Sequence, residues 1–288
     1  MSGFSESVAR HGGARAAVAR RPAVAVMTAV AAAALICVAS VALAAWEDHE
    51  RLTRETLLVR LSRAPASGQI DLKAKNLSDL DLHGIDFRGA DLSSGVFNGA
   101  NLRDANFDNA NLTVSFFEHA DLTNASLRNA VLFSVQLAGG ILRGANLSGA
   151  RFIGDLKNTD FTGATLTHMK GAADMKNQSM GLMRTSMVNA TAVDADLSYS
   201  DFSRGEFTFC NFSHSKMINT RLFRADFSGS NLTGADLTGA QLQDAQLINA
   251  DLTGANLTDA DLTGANLQGV RGLDSATKAG TRGLSLPP

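Results

Sequence analysis

A large apolar side chain recurs at every fifth position through most of this chain of 288 residues. From Leu72 to Phe152 all 17 such positions hold Leu or Phe, and from Met187 to Leu267 the same is true of 14 of 17. Five residues turn an α-helix through about 500°, so on a helix these apolar side chains would spiral around the axis. On a β-strand, successive apolar side chains of the repeat would point to opposite faces. A chain that turns a corner every five residues keeps them together. The repeat therefore predicts a solenoid with these side chains inside.

The residues around each central Leu or Phe refine this prediction. The residue two positions before the centre is usually Ala, and the residue directly before it is mostly Asp or Asn. Phe87 and Phe107 lie twenty residues apart, as do Phe97 and Phe117. If twenty residues make one coil, like rings stack along one side. Four sides of five residues therefore fit better than three.

The A-[DN]-L-x-x pattern, as in NLTGADLTGA at 231–240, resembles that of the pentapeptide-repeat proteins. The resemblance covers residues 70–152 and 185–270. It implies an all-β fold, a right-handed quadrilateral β-helix, and leaves the activity open. The stability of such a stack is roughly a sum of terms between neighbouring coils.

Residues 23–45 carry no charge over 23 positions, enough to cross the ~30 Å hydrocarbon core of a bilayer. They predict one transmembrane α-helix before the solenoid, acting as a signal anchor. Ala42-Leu43-Ala44 has the form of a cleavage site, so an exported soluble repeat protein after signal cleavage is an alternative. Arginines are equally numerous on the two sides of the segment, but a short basic tail favours a cytoplasmic N-terminus. We expect a single-pass protein of the cell membrane with the repeat domain outside.

The pattern divides the chain into segments with different predicted roles. They are a basic tail at 1–22, the transmembrane helix at 23–45, a juxtamembrane helix or linker at 46–69, a repeat segment at 70–152, an irregular Met-rich interruption at 153–186, a second repeat segment at 187–270 and a C-terminal cap or tail at 271–288. In the interruption the five-residue register slips. Methionine suits such irregular packing because its side chain is flexible.

Apolar residues replace the usual polar ones at several outward positions of the predicted coil. Large exposed apolar patches on a soluble domain usually mark a contact. We therefore predict an interaction patch with three candidate occupants: the Met-rich segment folded back, a second copy of the chain, or a protein partner. Its residues are Val96, Val114, Phe116, Val131, Phe133 and Ile153.

The sequence offers none of the patterns expected of an enzyme. The histidines lack metal-ligand spacing, and there is no nucleophile elbow, P-loop or dinucleotide fingerprint. We therefore predict no catalytic, cofactor-binding or metal-binding residue, and a net charge of −2 gives no footprint for nucleic acid. The predicted function is a membrane-anchored, non-enzymatic structural or protein-interaction module. Its predicted partners are the membrane, through residues 23–45, and an unidentified protein. A second copy of the chain is one candidate for that protein.

One acidic stretch suggests an alternative function. Residues 225–270 contain six Asp and no Lys or Arg. Some pentapeptide-repeat relatives imitate duplex DNA and bind type II topoisomerases, so the resemblance offers a DNA-mimicking topoisomerase-binding protein. The aspartates directly before central residues fall on four different sides, however, and form no single stripe. Asp also hydrogen-bonds to its own turn, which gives a simpler reason for its frequency.

Overall fold

The structure is a computed structural model that describes residues 49–63, 70–172 and 184–284. The predicted tail at 1–22 and the predicted transmembrane helix at 23–45 lie outside the described residues. Within the described ranges, no helix is long and apolar enough to cross a membrane.

The described chain winds into a coil that turns a corner every five residues. Parallel bridges join most residues directly before a central position to the residue twenty positions on. We call these bridged residues ladder positions. Because they recur at every fifth residue, one coil has four sides, as the phenylalanine spacing predicts. The sides are numbered by a bridged residue of the first coil: side 1 from Asp71, side 2 from Asn76, side 3 from Asp81 and side 4 from Asp86.

The hydrogen bonds at each corner explain which residues the repeat prefers. On the side around Leu92, Gly95 N donates to Leu92 O (2.9 Å), and Ser94 has a φ of 57°. A positive φ is typical of the third residue of a type II turn. Asp91 Oδ1 accepts hydrogen bonds from Ser93 N (3.1 Å) and Ser93 Oγ (2.7 Å). An Asp or Asn at the ladder position thus satisfies an N–H of the turn that follows it.

Phenylalanine rings of successive coils stack inside the coil. Phe87 stacks on Phe107 with 4.9 Å between ring centroids, and Phe97 stacks on Phe117 at 4.6 Å. Rings from the opposite walls, sides 4 and 2, meet edge to face, as Phe97 and Phe107 do at 6.1 Å. Both arrangements are favourable for aromatic pairs. The interior is therefore filled with side chains, and the stacking predicted from the twenty-residue spacing is present.

A short helix covers the N-terminal end of the coil. The elements of this region are strand β1 (Glu50–Arg51), helix α1 (Arg54–Ser62) and strand β2 (Lys75–Asn76). β1 pairs in parallel with β2. Thr53 caps α1, because Thr56 N donates to Thr53 Oγ1 (3.2 Å) and Thr53 N donates to Thr56 Oγ1 (2.9 Å). Leu57 points from α1 into the core and is fully buried.

The predicted interruption at 153–186 begins with one shortened side. Strand β3 (Val131–Gln136) pairs in parallel with strand β4 (Arg151–Asp155). Their register shifts between Phe133 and Val135, so one residue of β3 has no counterpart in β4. The side that contains β4 is therefore one residue shorter than the others.

The coil continues beyond this side instead of breaking, which corrects the predicted extent of the interruption. Leu156, Phe161 and Leu166 are buried at central positions. The bridges step by 19 residues into this coil and by 31 residues out of it. A step of 31 exceeds the usual twenty by eleven residues, which is the length of segment 173–183, outside the described residues. The irregularity is thus one deletion and one insertion, because backbone pairing with the preceding coil keeps the sides in place.

At two positions of this coil, the usual order of a small and a large residue is reversed. Gly171 stands at a central position, where a Cβ would lie 2.5 Å from the Phe202 ring of the next coil. Met169 stands two positions before it, where Ala is usual, and is buried. The Phe202 ring therefore occupies the space beside Gly171, and the buried Met169 keeps a large apolar side chain in the core of this coil.

The coil also continues past residue 270, where the repeat fades in the sequence. Three further bridges extend it: Asp251 to Arg271, Asn256 to Thr277 and Asp261 to Arg282. The last two steps are 21 residues long, and the extra residue follows Gly272, which has a φ of 78°. The predicted cap or tail at 271–288 therefore starts as one more coil. The ladder bonds are made by backbone atoms and do not require the repeat residues.

Candidate interaction surface

The six residues of the predicted patch lie on two adjoining sides in four consecutive coils. Val96 and Phe116 are bridged neighbours on side 2, and Phe133 pairs with Ile153 on side 1. The remaining two are Val131, which begins β3, and Val114, which has a φ of 59° at the corner between sides 1 and 2. The coil therefore brings all six positions together on two adjoining sides.

Four of the six side chains are accessible and two are not. Val114 and Val131 are 43% and 36% exposed, and Phe116 and Phe133 are half-buried. Val96 and Ile153 are each only 1% exposed, although the sequence predicted both at the exterior.

The backbone and ladder neighbours give the physical reason for this correction. Val96 lies between Asn76 and the bulky Phe116 in the ladder of side 2. Ile153 precedes Gly154 on the shortened side, where a Cβ on Gly154 would lie 2.3 Å from Val135 O. The neighbouring coils therefore cover the apolar side chains of Val96 and Ile153. We call the four accessible side chains (Val114, Phe116, Val131 and Phe133) the apolar patch.

Positive charge lies beside the apolar patch. The Arg151 guanidinium lies 5.7 Å from the centroid of the Phe133 ring, in the geometry of a cation–π contact. Arg151 is bridged to Val131 on one side and to Lys170 on the other. The surface therefore combines apolar side chains with two adjacent cationic residues on side 1.

Comparison with known proteins gives the family. A family model described as pentapeptide repeats matches in eight copies, which span residues 76–169 and 193–271. The chain belongs to the pentapeptide-repeat family. This membership implies the right-handed β-helix that the sequence predicts.

Solved structures of other pentapeptide-repeat proteins are similar to this chain. HetL, involved in heterocyst differentiation regulation in the cyanobacterium Nostoc sp. strain PCC 7120, is 26% identical over 80% of this chain and 96% of its own, with a TM-score of 0.38. QnrB1, a plasmid-mediated fluoroquinolone resistance protein, is 20% identical over 68% of this chain and 88% of its own, with a TM-score of 0.29. A pentapeptide-repeat protein of the Arabidopsis thaliana thylakoid lumen is 29% identical over 34% of this chain and 57% of its own, with a TM-score of 0.14. No curated protein matches the chain.

The acidic stretch of this pentapeptide-repeat protein is spread around the coil. Its four ladder aspartates lie one on each side: Asp226, Asp236, Asp251 and Asp261. Each accepts a hydrogen bond from the backbone N–H two residues on. Asp251 and Asp261 also lie 3.2 and 3.4 Å from the guanidinium groups of Arg271 and Arg282. These carboxylates stabilise their own turns and form no continuous stripe.

Two exposed aromatic side chains were not predicted from the sequence. Tyr199 and Phe209 are 55% and 66% exposed, at corner positions with φ values of 61° and 58°. Gly, Asn and Asp usually take such positions, so a bulky residue there was an available signal. Tyr199 stacks on His168 at 5.2 Å, and the Phe209 ring lies 2.6 Å from where a Cβ on Gly229 would be.

The described residues hold little that is typical of catalysis. No group of three or more His, Cys, Asp or Glu in the described ranges could hold a metal ion. Cys210 Sγ donates to Met187 O (2.7 Å) at the small inward position, and burial raises the pKa of the thiol to about 12. The thiol therefore stays protonated near neutral pH, where a nucleophilic cysteine would need to be a thiolate.

Proposed function

We propose that this pentapeptide-repeat protein is a membrane-anchored, non-enzymatic module that binds a protein partner through the apolar patch. The observation that carries the proposal is the replacement of polar residues at outward positions on two adjoining sides. Val114 and Val131 are exposed there, and Phe116 and Phe133 are half-buried. The nearby Arg151 and Lys170 suit a partner segment that carries acidic groups beside its apolar residues.

The membrane attachment in this proposal is assigned to residues 23–45, with the N-terminus in the cytoplasm and the repeat domain outside. Its support is the run of 23 uncharged positions and the arginines that precede it. Signal cleavage after Ala44 would release an exported soluble protein instead. Alkaline extraction of membranes, followed by mass measurement, separates these cases. We expect a full-mass chain in the membrane pellet, and a shortened chain in the soluble fraction would contradict the anchor.

The apolar patch is tested with a double variant, Phe116→Ser with Phe133→Ser, in the full chain. The matched control is Phe209→Ser, which removes a more exposed ring at the end of side 2, four coils and about 19 Å further along from Phe116. Affinity capture from solubilised membranes and sedimentation velocity report the bound partner or second copy. We expect the double variant to lose the complex and the control to retain it, with both keeping the β-type circular dichroism of the wild type. Equal capture and sedimentation of the two variants would contradict the proposal.

A DNA-mimicking topoisomerase-binding protein is the alternative, and its support is the run of six aspartates between residues 225 and 270. A supercoiling assay with DNA gyrase distinguishes it from the proposal. A DNA mimic would lower supercoiling as its concentration rises, and Asp236→Asn would weaken that effect. We expect unchanged supercoiling, because the aspartates are spread over four sides and serve their own turns.

A further inference from the structure

The outer face of helix α1 carries two exposed apolar residues next to each other. Leu58 and Val59 are 39% and 44% exposed, whereas Leu57 on the opposite face is fully buried. Leu58 also lines a groove between α1 and the first coil, together with Leu61, Ile70 and Ile85. The cap over the first coil therefore presents an apolar surface away from the core.

The position of this cap in the chain suggests what covers it. Only residues 46–48 separate the uncharged run at 23–45 from the first described residue, and three residues span at most about 11 Å. β1 follows at once and is fixed to the first coil by its pairing with β2. If residues 23–45 cross a bilayer, the cap is held close to the lipid surface. Such a tether lets a weak apolar contact form without high intrinsic affinity.

We propose that the outer face of α1, with Leu58 and Val59, packs into the surface of the lipid bilayer. This inference rests on the membrane anchoring proposed above. Residues 46–63 contain as many acidic as basic side chains. The contact is therefore apolar, and it forms equally on zwitterionic and anionic lipid.

The test uses the full chain with Cys37→Ser, reconstituted into phosphatidylcholine vesicles with and without phosphatidylglycerol. A fluorophore is attached through Val59→Cys, or through Phe209→Cys as the control, and quenched by nitroxide-labelled lipid. Cys210 stays unlabelled at neutral pH, because its thiol is buried and has a raised pKa of about 12. The control position, Phe209, follows Glu206 on side 2. Six bridges separate Glu206 from Asn76 in the first coil, so the control lies about 29 Å further along the coil than the end that α1 covers.

We expect quenching at the Val59 position to be at least twice that at the Phe209 position in both kinds of vesicle. Leu58→Asp, a change at an exposed site, should halve the quenching if α1 contacts lipid. A chain that floats with the vesicles but is quenched equally at both positions overturns the inference and leaves the anchoring intact. Quenching that is unaffected by Leu58→Asp also overturns the inference and leaves the anchoring intact, because α1 would then be tethered near the lipid without contacting it. A chain that does not float with the vesicles overturns the anchoring, and the inference with it.

Discussion

At the residue scale, short polar side chains fix the corners of the coil, and Asp108 is the most buried carboxylate among the described residues. Asp108 is only 4% exposed and follows the central Phe107 on side 4. Its Oδ1 accepts a hydrogen bond from Arg128 N (3.0 Å), and its Oδ2 accepts one from Arg128 Nε (2.9 Å). Burial raises the pKa of Asp108, but hydrogen bonds from Arg128 and Ser126 outweigh it and hold the pKa below its ordinary value. The ionised carboxylate therefore stabilises the contact between two coils.

The pH dependence of stability tests this role of Asp108. A carboxyl group whose pKa is lowered by folding contributes stability above its unfolded pKa, and that contribution is lost as the pH falls through the folded pKa. Asp108→Asn should lower the free energy of unfolding by about 1–3 kcal/mol at pH 7. The difference from the wild type should shrink as the pH falls below about 4. Urea unfolding at several pH values measures both effects. Asp259→Asn, at an exposed corner, is the control. If Asp108→Asn lowers the free energy of unfolding by the same amount at pH 7 and pH 3, the stabilising role of the ionised Asp108 carboxylate is refuted.

At the scale of single sides, the repeat predicts the coil well and its irregularities poorly. The five-residue period predicts the corners and the stacking of Phe87 on Phe107, because both follow from the spacing of residues along one chain. The extent of the irregular segment does not follow from it. Leu156, Phe161 and Leu166 keep the five-residue spacing after a shift of one position, and it is the backbone pairing with the preceding coil that shows that they stay central. Backbone pairing likewise continues the ladder at Arg271.

The shortened side provides a prediction at this scale. Gly154→Ala places a Cβ 2.3 Å from Val135 O, a backbone atom that cannot move without disturbing β3. Gly84→Ala is the matched control, because Gly84 has a φ of 66° and nothing within 4 Å of its would-be Cβ. The control should cost about 1 kcal/mol of unfolding free energy for the left-handed conformation alone. Gly154→Ala should cost more than this, about 3 kcal/mol, which is the upper end for overpacking, because the obstructing atom belongs to the backbone. Similar urea midpoints for the two variants would show that this side is not tightly packed.

At the scale of the whole molecule, the sequence predicts where the candidate site lies better than which residues it exposes. The twenty-residue coil places all six predicted residues on sides 1 and 2. Exposure depends on neighbours in other coils, however, and these bury Val96 and Ile153. What remains is a patch of four apolar side chains beside Arg151. The coil acts as a rigid support for this surface, because every side is bonded to the coils before and after it.

The central claim is that one continuous coil runs through the deletion and the insertion. Seven successive bridges join Asn106 to Asn256 along side 4. Spin labels attached through Asn109→Cys and Asp259→Cys, in the full chain with Cys37→Ser, should therefore lie about 34 Å apart, at ~4.8 Å per coil. Pulsed electron paramagnetic resonance measures this distance. A single narrow distribution near that value is the predicted result, and a main distance that differs by more than two coil spacings (~10 Å), or two separate distances, would contradict a continuous coil.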